Sequence, residues 1–369
     1  MKKLLIILIM TGILLSTTEV AQKEEIKAIF ISYIELNKYI SNDISTSKNN
    51  INKMIDNIKK IKANTIILQV RSSADSIYKS NIFPNNKNFD VLNYFIKKSH
   101  DNDIKLIAWI NPYRVRTTND INSIKEDSPA YKYINTDYLY INNGIYFNPS
   151  KKEIEDLIVE GVKEVLNYKV DGIIFDDYFY PSDDIDNNDY EEYLKNNEYI
   201  SKQQYHLNVV NHLVERVHKE CKKKNTKFGI SPDGNIDNNY NKNYADVRLW
   251  MSSNKYIDFI MPQIYYGFYN STKAYVNVTK EWESLLKNDD IDFLVALAFY
   301  KVGLEDKYAK EGRDEWINNN DIIMREVILS RNLKNYKGFS LFRYDNIFNE
   351  ENYTNTSKDE LENLKKIIK

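Results

Sequence analysis

Cysteine and histidine are scarce in the sequence. Cys221 is the single cysteine, so no disulfide can form within the chain. Of the four histidines, His206, His212 and His218 follow one another at six-residue spacing in a helical stretch, which turns them to different helix faces. A catalytic zinc site needs several histidines or cysteines together. Walker, G-x-G-x-x-G and G-x-S-x-G motifs are also missing. The sequence therefore predicts neither a metal site nor a cofactor.

The sequence also lacks an excess of charge of either sign. Lysine and arginine number 51 and aspartate and glutamate 53, which leaves a formal net charge of -2. A protein that binds nucleic acid or an anionic membrane surface usually carries a basic patch. We therefore expect a neutral or small substrate and no nucleic-acid partner. Aromatic residues are plentiful at 13%, with 29 tyrosines, and such rings can cover the apolar faces of sugars.

Long hydrophobic runs are missing, apart from one short run near the N-terminus. Residues 4–15 are apolar, follow two lysines and precede small and polar residues. This order is typical of a signal peptide, and the run is short for a membrane span. We expect residues 1–24 to be a signal peptide or an N-terminal anchor. The protein would then be exported, to the cell envelope or the medium, and would touch a membrane only through an uncleaved segment.

Short apolar runs alternate with amphipathic helical stretches along residues 25–369, which predicts one α/β domain. Strands are predicted at 28–32, 65–71, 105–112, 171–177, 227–232, 258–266, 293–300 and 338–345. Helices are predicted at 48–62, 90–102, 150–168, 200–224, 243–253, 272–288, 319–333 and 358–368. Eight strand–helix units are the count of a (β/α)₈ TIM barrel. Long loops follow the third and fourth strands.

Polar side chains gather where the predicted strands end. In a (β/α)₈ barrel the functional groups lie at the C-terminal ends of the strands and in the loops that follow. The starts of the predicted strands carry no comparable set of amides, arginines and tyrosines. This asymmetry predicts a polar cleft at one end of the barrel. The residues that we expect to bind substrate there are Arg71, Asn111, Tyr113, Arg114, Tyr178, Gln263, Tyr265, Arg343 and Asp345.

The fourth predicted strand ends in two adjacent aspartates. Side chains alternate along a strand, so Asp176 and Asp177 should point to opposite sides, and one of them should face the barrel axis. Hydrolysis of a glycosidic bond needs two carboxyl groups, about 5 Å apart for retention or up to about 9 Å for inversion. Asp176 and Asp177 are the first candidates for these catalytic groups. In the alternative interpretation, both only bond loop backbone or cap the next helix.

Other carboxylates could complete the catalytic pair. Glu35 follows the first strand and is the main alternative second member, although it could equally be a helix-entry residue. Asp233 precedes a glycine, which favours a simple turn. Asp345 could pair with Arg343.

Five motifs together resemble a known family. They are AWINPYR (108–114), DGIIFDDYFYP (171–181), FGISP (228–232), MPQIYYG (261–267) and GFSLFRY (338–344). Their order is similar to that of the family 10-like glycosyl hydrolases, over about residues 27 to 348. The resemblance implies a TIM-barrel glycoside hydrolase of the bacterial cell envelope with peptidoglycan glycan strands as substrate. The spacing of Asp171, Gly172 and Asp176 is also similar to amylase-like and chitinase-like barrels, which implies that Asp176 faces the site.

Two functions of different classes fit these features. The first is an exported glycoside hydrolase that cleaves a β-linked amino-sugar glycan, such as a peptidoglycan strand, by carboxylate acid/base chemistry. The second is a non-catalytic barrel that binds cell-wall glycan in the same cleft. Amidase or deacetylase chemistry would need a metal, which the scarcity of histidine disfavours.

Overall fold

The computed structural model describes residues 24–368, so residues 1–23 of the predicted N-terminal segment lie outside the described residues. In chain order its strands are β1 (Ile26–Ile31), β2 (Thr65–Arg71), β3 (Lys105–Ile110), β4 (Arg114–Arg116), β5 (Leu139–Ile141), β6 (Ile145–Phe147), β7 (Gly172–Phe175), β8 (Lys227–Ile230), β9 (Phe259–Ile260), β10 (Asp292–Leu297) and β11 (Tyr336–Leu341). Eight of these strands form a closed barrel in the order β1-β2-β3-β7-β8-β9-β10-β11, and every pairing is parallel. The predicted (β/α)₈ TIM barrel is confirmed.

Helices cover the outside of the barrel. They are α1 (Tyr33–Tyr39), α2 (Ile44–Lys60), α3 (Val91–His100), α4 (Lys152–Leu166), α5 (Asn187–Asn196), α6 (Lys202–Lys223), α7 (Ile236–Asn241), α8 (Val247–Trp250), α9 (Tyr275–Ser284), α10 (Glu315–Asn318), α11 (Ile322–Ser330), α12 (Tyr344–Phe348) and α13 (Ser357–Ile367). Short 3₁₀ turns lie at Ile121–Ser123, Tyr131–Tyr133, Phe299–Lys301, Lys310–Gly312 and Glu350–Asn352. Within residues 24–368, no helix has the length and apolarity needed to cross a membrane.

The alternation of strand side chains produces two separate apolar cores. Residues such as Phe30, Ile67 and Ile174 pack together inside the barrel. Their strand neighbours, such as Ile29 and Ile173, pack against the surrounding helices. Ile174 therefore identifies the inward face of β7, and the strand period carries that face on to residue 176.

The two long loops contain structure that the sequence pattern did not predict. After β3, the short strands β4, β6 and β5 form an antiparallel sheet beside the barrel. After β7, the loop contains α5. Strands of three residues are too short to show a reliable period, and the exposed, charged α5 has no buried residue to mark it. Both insertions follow strands that end near the polar residues of the barrel rim.

Close strand packing at Gly229 gives a prediction about stability. A Cβ atom at Gly229 would lie 2.4 Å from ring carbons of Phe259 on the neighbouring strand. We expect Gly229→Ala to lower the free energy of unfolding by about 1–3 kcal/mol, because a packed ring cannot move aside without cost. Gly172→Ala is the control, since its nearest neighbour, Ile107 Cγ1, would be 3.3 Å away. Equal losses in urea unfolding would contradict this explanation.

Candidate active site

A cavity of about 310 Å³ opens at the C-terminal ends of the barrel strands. Polar and aromatic side chains from all eight barrel strands or the loops after them share its surface. The lining residues are Phe30, Ser32, Tyr33, Ile34, Gln69, Trp109, Arg114, Asp176, Asp177, Tyr178, Ser231, Gln263, Tyr265, Tyr300 and Phe342. The polar end of the barrel predicted from the sequence is therefore the end that carries the cavity.

Asp176 lies on the inward side of β7 and is almost fully buried, with 3% of its surface exposed. Its Oδ2 accepts hydrogen bonds from Trp109 Nε1 at 2.9 Å and from Asn111 Nδ2 at 2.5 Å. Its Oδ1 accepts from the backbone N–H of Tyr178 at 3.2 Å. Burial raises the pKa of Asp176, while the nearby Arg114 charge and these three donors oppose that rise. The surroundings thus supply groups that stabilise an ionised Asp176.

Asp177 has fewer partners than its neighbour. Gln263 Nε2 donates to its Oδ1 at 2.9 Å and also donates to the carbonyl of Ser231 at 3.0 Å. Burial and the adjacent Asp176 charge raise the pKa of Asp177 to about 7. Two close carboxyl groups that compete for ionisation share a proton, and the less supported one retains it. Asp177, which has fewer donors, is therefore the candidate for the member of the pair that carries a proton.

Both aspartates line the same cavity, which differs from the expectation that they point to opposite sides. The reason is that β7 ends at Phe175, one residue before Asp176. Strict alternation therefore stops at the strand end, and the turning backbone brings the second carboxyl to the same opening. The inward position of Asp176 itself agrees with the strand period.

Arg114 and two tyrosines form one wall of the cavity. The guanidinium lies 5.8 Å from the ring centre of Tyr33 and 5.5 Å from that of Tyr178. Arg114 Nε donates to the carbonyl of Ser72 at 2.7 Å, which holds the side chain in place. Tyr178 keeps 53% of its surface exposed and so remains available to a ligand. These positions agree with the substrate-side placement expected for Arg114 and Tyr178.

A second group of rings also lines the cavity. Tyr265, Tyr300 and Phe342 pack with ring centres 5.7 to 6.0 Å apart. Tyr265 and Gln263 were both expected at this end of the barrel, and both line the cavity. Asn111 was expected to bind substrate, but it is 1% exposed and bonds Asp176 instead.

Glu35 lies outside the cavity, fully buried at the start of α1. Its Oε2 accepts from the backbone N–H of Ser32, as in a capping box, and also from the Ser32 hydroxyl. Its Oε1 pairs with the guanidinium of Arg343. The Asp345 carboxylate also has partners: its Oδ2 accepts from Lys38 Nζ at 3.0 Å, and its Oδ1 accepts from the Tyr39 hydroxyl at 2.5 Å. The expected catalytic role of Glu35 and substrate contacts of Arg343 and Asp345 do not fit these positions.

Arg71 and Tyr113 were expected to bind substrate, yet both are buried behind the barrel wall, 2% and 1% exposed. The guanidinium of Arg71 lies 3.9 Å from the ring centre of Phe83. The pairing of β2 with β3 is irregular between Gln69 and Arg71. Such an irregularity interrupts the alternation of side chains, so Arg71 does not continue the inward face of Gln69.

Gln69 contacts Asn111 and lines the cavity, although it was not predicted as a site residue. The only sign of it in the sequence was a single glutamine among the apolar residues of its strand.

Asp233 accepts from the backbone N–H of Asn235 at 2.8 Å, so it stabilises the turn that its Asp-Gly sequence favoured. In the described part of the chain, no three His, Cys, Asp or Glu side chains are grouped to hold a metal ion.

Comparison with known proteins agrees with this architecture. A family model described as glycosyl hydrolase-like 10 matches residues 25–314. The chain is 30% identical over 320 residues to the glycosyl hydrolase YngK of Bacillus subtilis (strain 168), covering 78% of this chain and 61% of that protein. It is 29% identical over 350 residues to the glycosyl hydrolase DigH of Escherichia coli (strain K12), covering 83% and 78%. The chain thus spans less than two thirds of the Bacillus relative.

Solved structures of low sequence identity share the fold. The catalytic domain of a β-amylase from Paenibacillus polymyxa has a TM-score of 0.57 at 10% identity, with 94% of this chain and 99% of that chain covered. The PgaB (BpsB) glycoside hydrolase domain from Bordetella bronchiseptica has a TM-score of 0.56 at 12% identity, with 92% and 99% covered. At these identities the likeness concerns the barrel alone.

The position of Glu35 gives a prediction that separates stability from catalysis. We expect Glu35→Ala to lower the free energy of unfolding by about 3 kcal/mol, because it leaves Arg343 and Ser32 without their buried partner. Lys38→Met, which removes a half-exposed ion pair with Asp345, should cost less than about 1 kcal/mol. Turnover per folded molecule should stay within a few-fold of the unmutated protein. A folded but inactive Glu35→Ala variant would return Glu35 to the catalytic candidates.

Proposed function

The chain belongs to the glycosyl hydrolase-like 10 family, which places it among glycoside hydrolases, and we propose that it cleaves a β-linked amino-sugar glycan of the cell envelope. The proposed substrate is the glycan strand of peptidoglycan. The observation that carries the proposal is the unequal pair of carboxyl groups, buried Asp176 and partly buried Asp177, in a ring-lined cavity. One protonated and one ionised carboxyl group are what glycosidic hydrolysis requires.

In the proposed reaction Asp177 is the general acid. Its Oδ1 accepts from Gln263, whose amide orientation is fixed because the carbonyl of Ser231 can only accept. The proton of Asp177 is therefore carried on Oδ2. As the glycosidic C–O bond breaks, this proton passes to the leaving oxygen, and Asp177 is left as a carboxylate. That carboxylate can later take a proton from the water that attacks the sugar.

Asp176 supplies the negative charge in the same reaction. The sugar ring gains positive charge as the leaving group departs, and an ionised carboxylate in a site with little water stabilises that charge strongly. Arg114 and the N–H donors of Trp109, Asn111 and Tyr178 stabilise the charged form of Asp176 and oppose the rise in its pKa that burial causes. Asp176 is thus the electrostatic partner of the acid, Asp177.

Support for a saccharide substrate comes from the walls of the cavity. Tyr178, Tyr265 and Tyr300 offer ring faces beside polar groups, a combination that suits the mixed apolar and hydroxylated surface of a sugar. The near-zero net charge of the chain gives no general attraction for a polyanion. Support for a cell-wall glycan and for export comes from the motif resemblance and from the apolar segment at residues 4–15.

The assigned proton gives a prediction about pH. Since Asp177 must be protonated, kcat should fall as the pH rises through about 7, where this group ionises. Asp177→Asn should slow hydrolysis of glycan strands by about 100-fold or more, because the amide cannot donate a catalytic proton. The same variant should retain most of its kcat/KM on an aryl glycoside whose leaving group needs no proton, because kcat/KM reports cleavage of the glycosidic bond and not the later attack of water. An equal loss on both substrates would contradict the assignment of Asp177 as the acid.

The enzyme interpretation is tested by counting new reducing ends. Mature protein incubated with peptide-free glycan strands should release reducing ends, and Asp176→Asn should reduce that rate by about 1000-fold or more, through loss of charge at a preorganised site. Tyr308→Phe, at a site 88% exposed and outside the cavity lining, is the control and should behave as the unmutated protein. Strands that bind to unmutated protein without being cleaved would favour a glycan-binding barrel.

A further inference from the structure

We infer that Gln69 is a positioning residue: acting through Asn111, it directs an amide N–H toward Asp176 and so holds that carboxyl group in its ionised form. The inference rests on the proposed function, in which Asp176 is the charged member of the pair. It follows from the direction of three consecutive hydrogen bonds that link α1 and β2 with the residues directly after β3 and β7.

The first hydrogen bond fixes the orientation of Gln69. The backbone N–H of Tyr33, at the start of α1, donates to Gln69 Oε1 at 2.8 Å. A backbone N–H can only donate, so Gln69 must turn its oxygen toward Tyr33. Its Nε2 then faces Asn111 Oδ1 and donates at 2.6 Å. Gln69 is 2% exposed, so water does not compete for either contact.

The second step transfers this orientation to Asn111. Because its Oδ1 is held by Gln69, Asn111 turns its Nδ2 to Asp176 Oδ2, at 2.5 Å. Arg114 Nη2 lies 3.4 Å from the same Oδ1 and is also a group that can only donate. Donor-only groups on two different elements thus enforce the same orientation of the Asn111 amide.

The final step acts on the protonation of Asp176. Its Oδ2 accepts from Asn111 Nδ2 and Trp109 Nε1, which occupy both acceptor directions of that oxygen. A proton on Oδ2 would have to displace one of these donors. Hydrogen bonds to the charged form lower a pKa, and buried chains of such bonds strengthen one another. Gln69 therefore acts on the charge of Asp176 without touching it.

Two variants of Gln69 test this inference. Gln69→Met keeps the length of the side chain but removes both hydrogen bonds, which frees Asn111 to rotate. Gln69→Glu keeps the shape and the bond from Tyr33, but its second oxygen attracts Asn111 Nδ2 and turns Oδ1 toward Asp176. We expect the lower apparent pKa of the aspartate pair to rise by about one unit in Gln69→Met and by more in Gln69→Glu. The uncharged Met variant separates the effect of orientation from that of added charge.

The measurement is a carbon-13 NMR titration of the Asp176 carboxyl group in protein labelled at aspartate Cγ, with Asp176→Asn for assignment. The acid limb of the pH–rate profile should move in parallel. Gln263→Met is the matched control, because it removes the amide that bonds Asp177 and should move the upper apparent pKa instead. Thermal unfolding confirms that each variant is folded.

An unchanged Asp176 titration in either folded Gln69 variant would overturn the inference and reduce Gln69 to a packing residue. A shift in Gln69→Glu alone would also overturn it, since added charge would then explain the result. The titration does not depend on hydrolysis. Failure of the proposed function would be seen as absent turnover in the unmutated protein. It is therefore distinguishable from failure of the inference about Gln69.

Discussion

Two carboxyl groups on consecutive residues, one buried and one partly buried, resist being ionised together, and the site is organised around that repulsion. Asp176 receives three N–H donors and the nearby charge of Arg114. Asp177 receives one side-chain donor, and its pKa rises to about 7. The difference in partners separates the roles of two chemically identical groups. In the proposed reaction one sequence feature, a pair of aspartates at a strand end, provides both the acid and the stabilising charge.

The barrel makes this arrangement possible because its register aligns the supporting residues. Gln69 of β2 lies beside Trp109 of β3, and Trp109 lies beside Ile174 of β7, two residues before Asp176. All three lie on the inward face, so the polar contacts stack at one level just above the apolar barrel interior. Gln263 reaches Asp177 from the segment after β9. Parallel strands that end at the same rim therefore bring residues far apart in sequence to one pair of carboxyl groups.

The periodicity of the sequence was sufficient to predict the barrel, and the motifs were sufficient to identify the family, which the family match confirms. Strand period and motif spacing also agreed on the inward position of Asp176. The errors have local causes. Arg71 follows a register irregularity that a count of alternating residues cannot detect. Glu35 stands three residues after Ser32, a capping-box spacing that could have been recognised. Gln69 was overlooked because its importance comes only from contacts across strands.

The central claim is that the pair shares one proton and that Asp177 holds it. Infrared difference spectroscopy between the unmutated protein and each aspartate-to-asparagine variant, as the pH is lowered from about 7, tests this directly. In Asp176→Asn the C=O stretch of protonated Asp177 should appear at a lower pH than in the unmutated protein, because the Asp176 charge no longer raises the pKa of Asp177. It should still appear at a higher pH than the C=O stretch of Asp176 in Asp177→Asn. The reverse order of the two variants would contradict the assignment of the proton to Asp177.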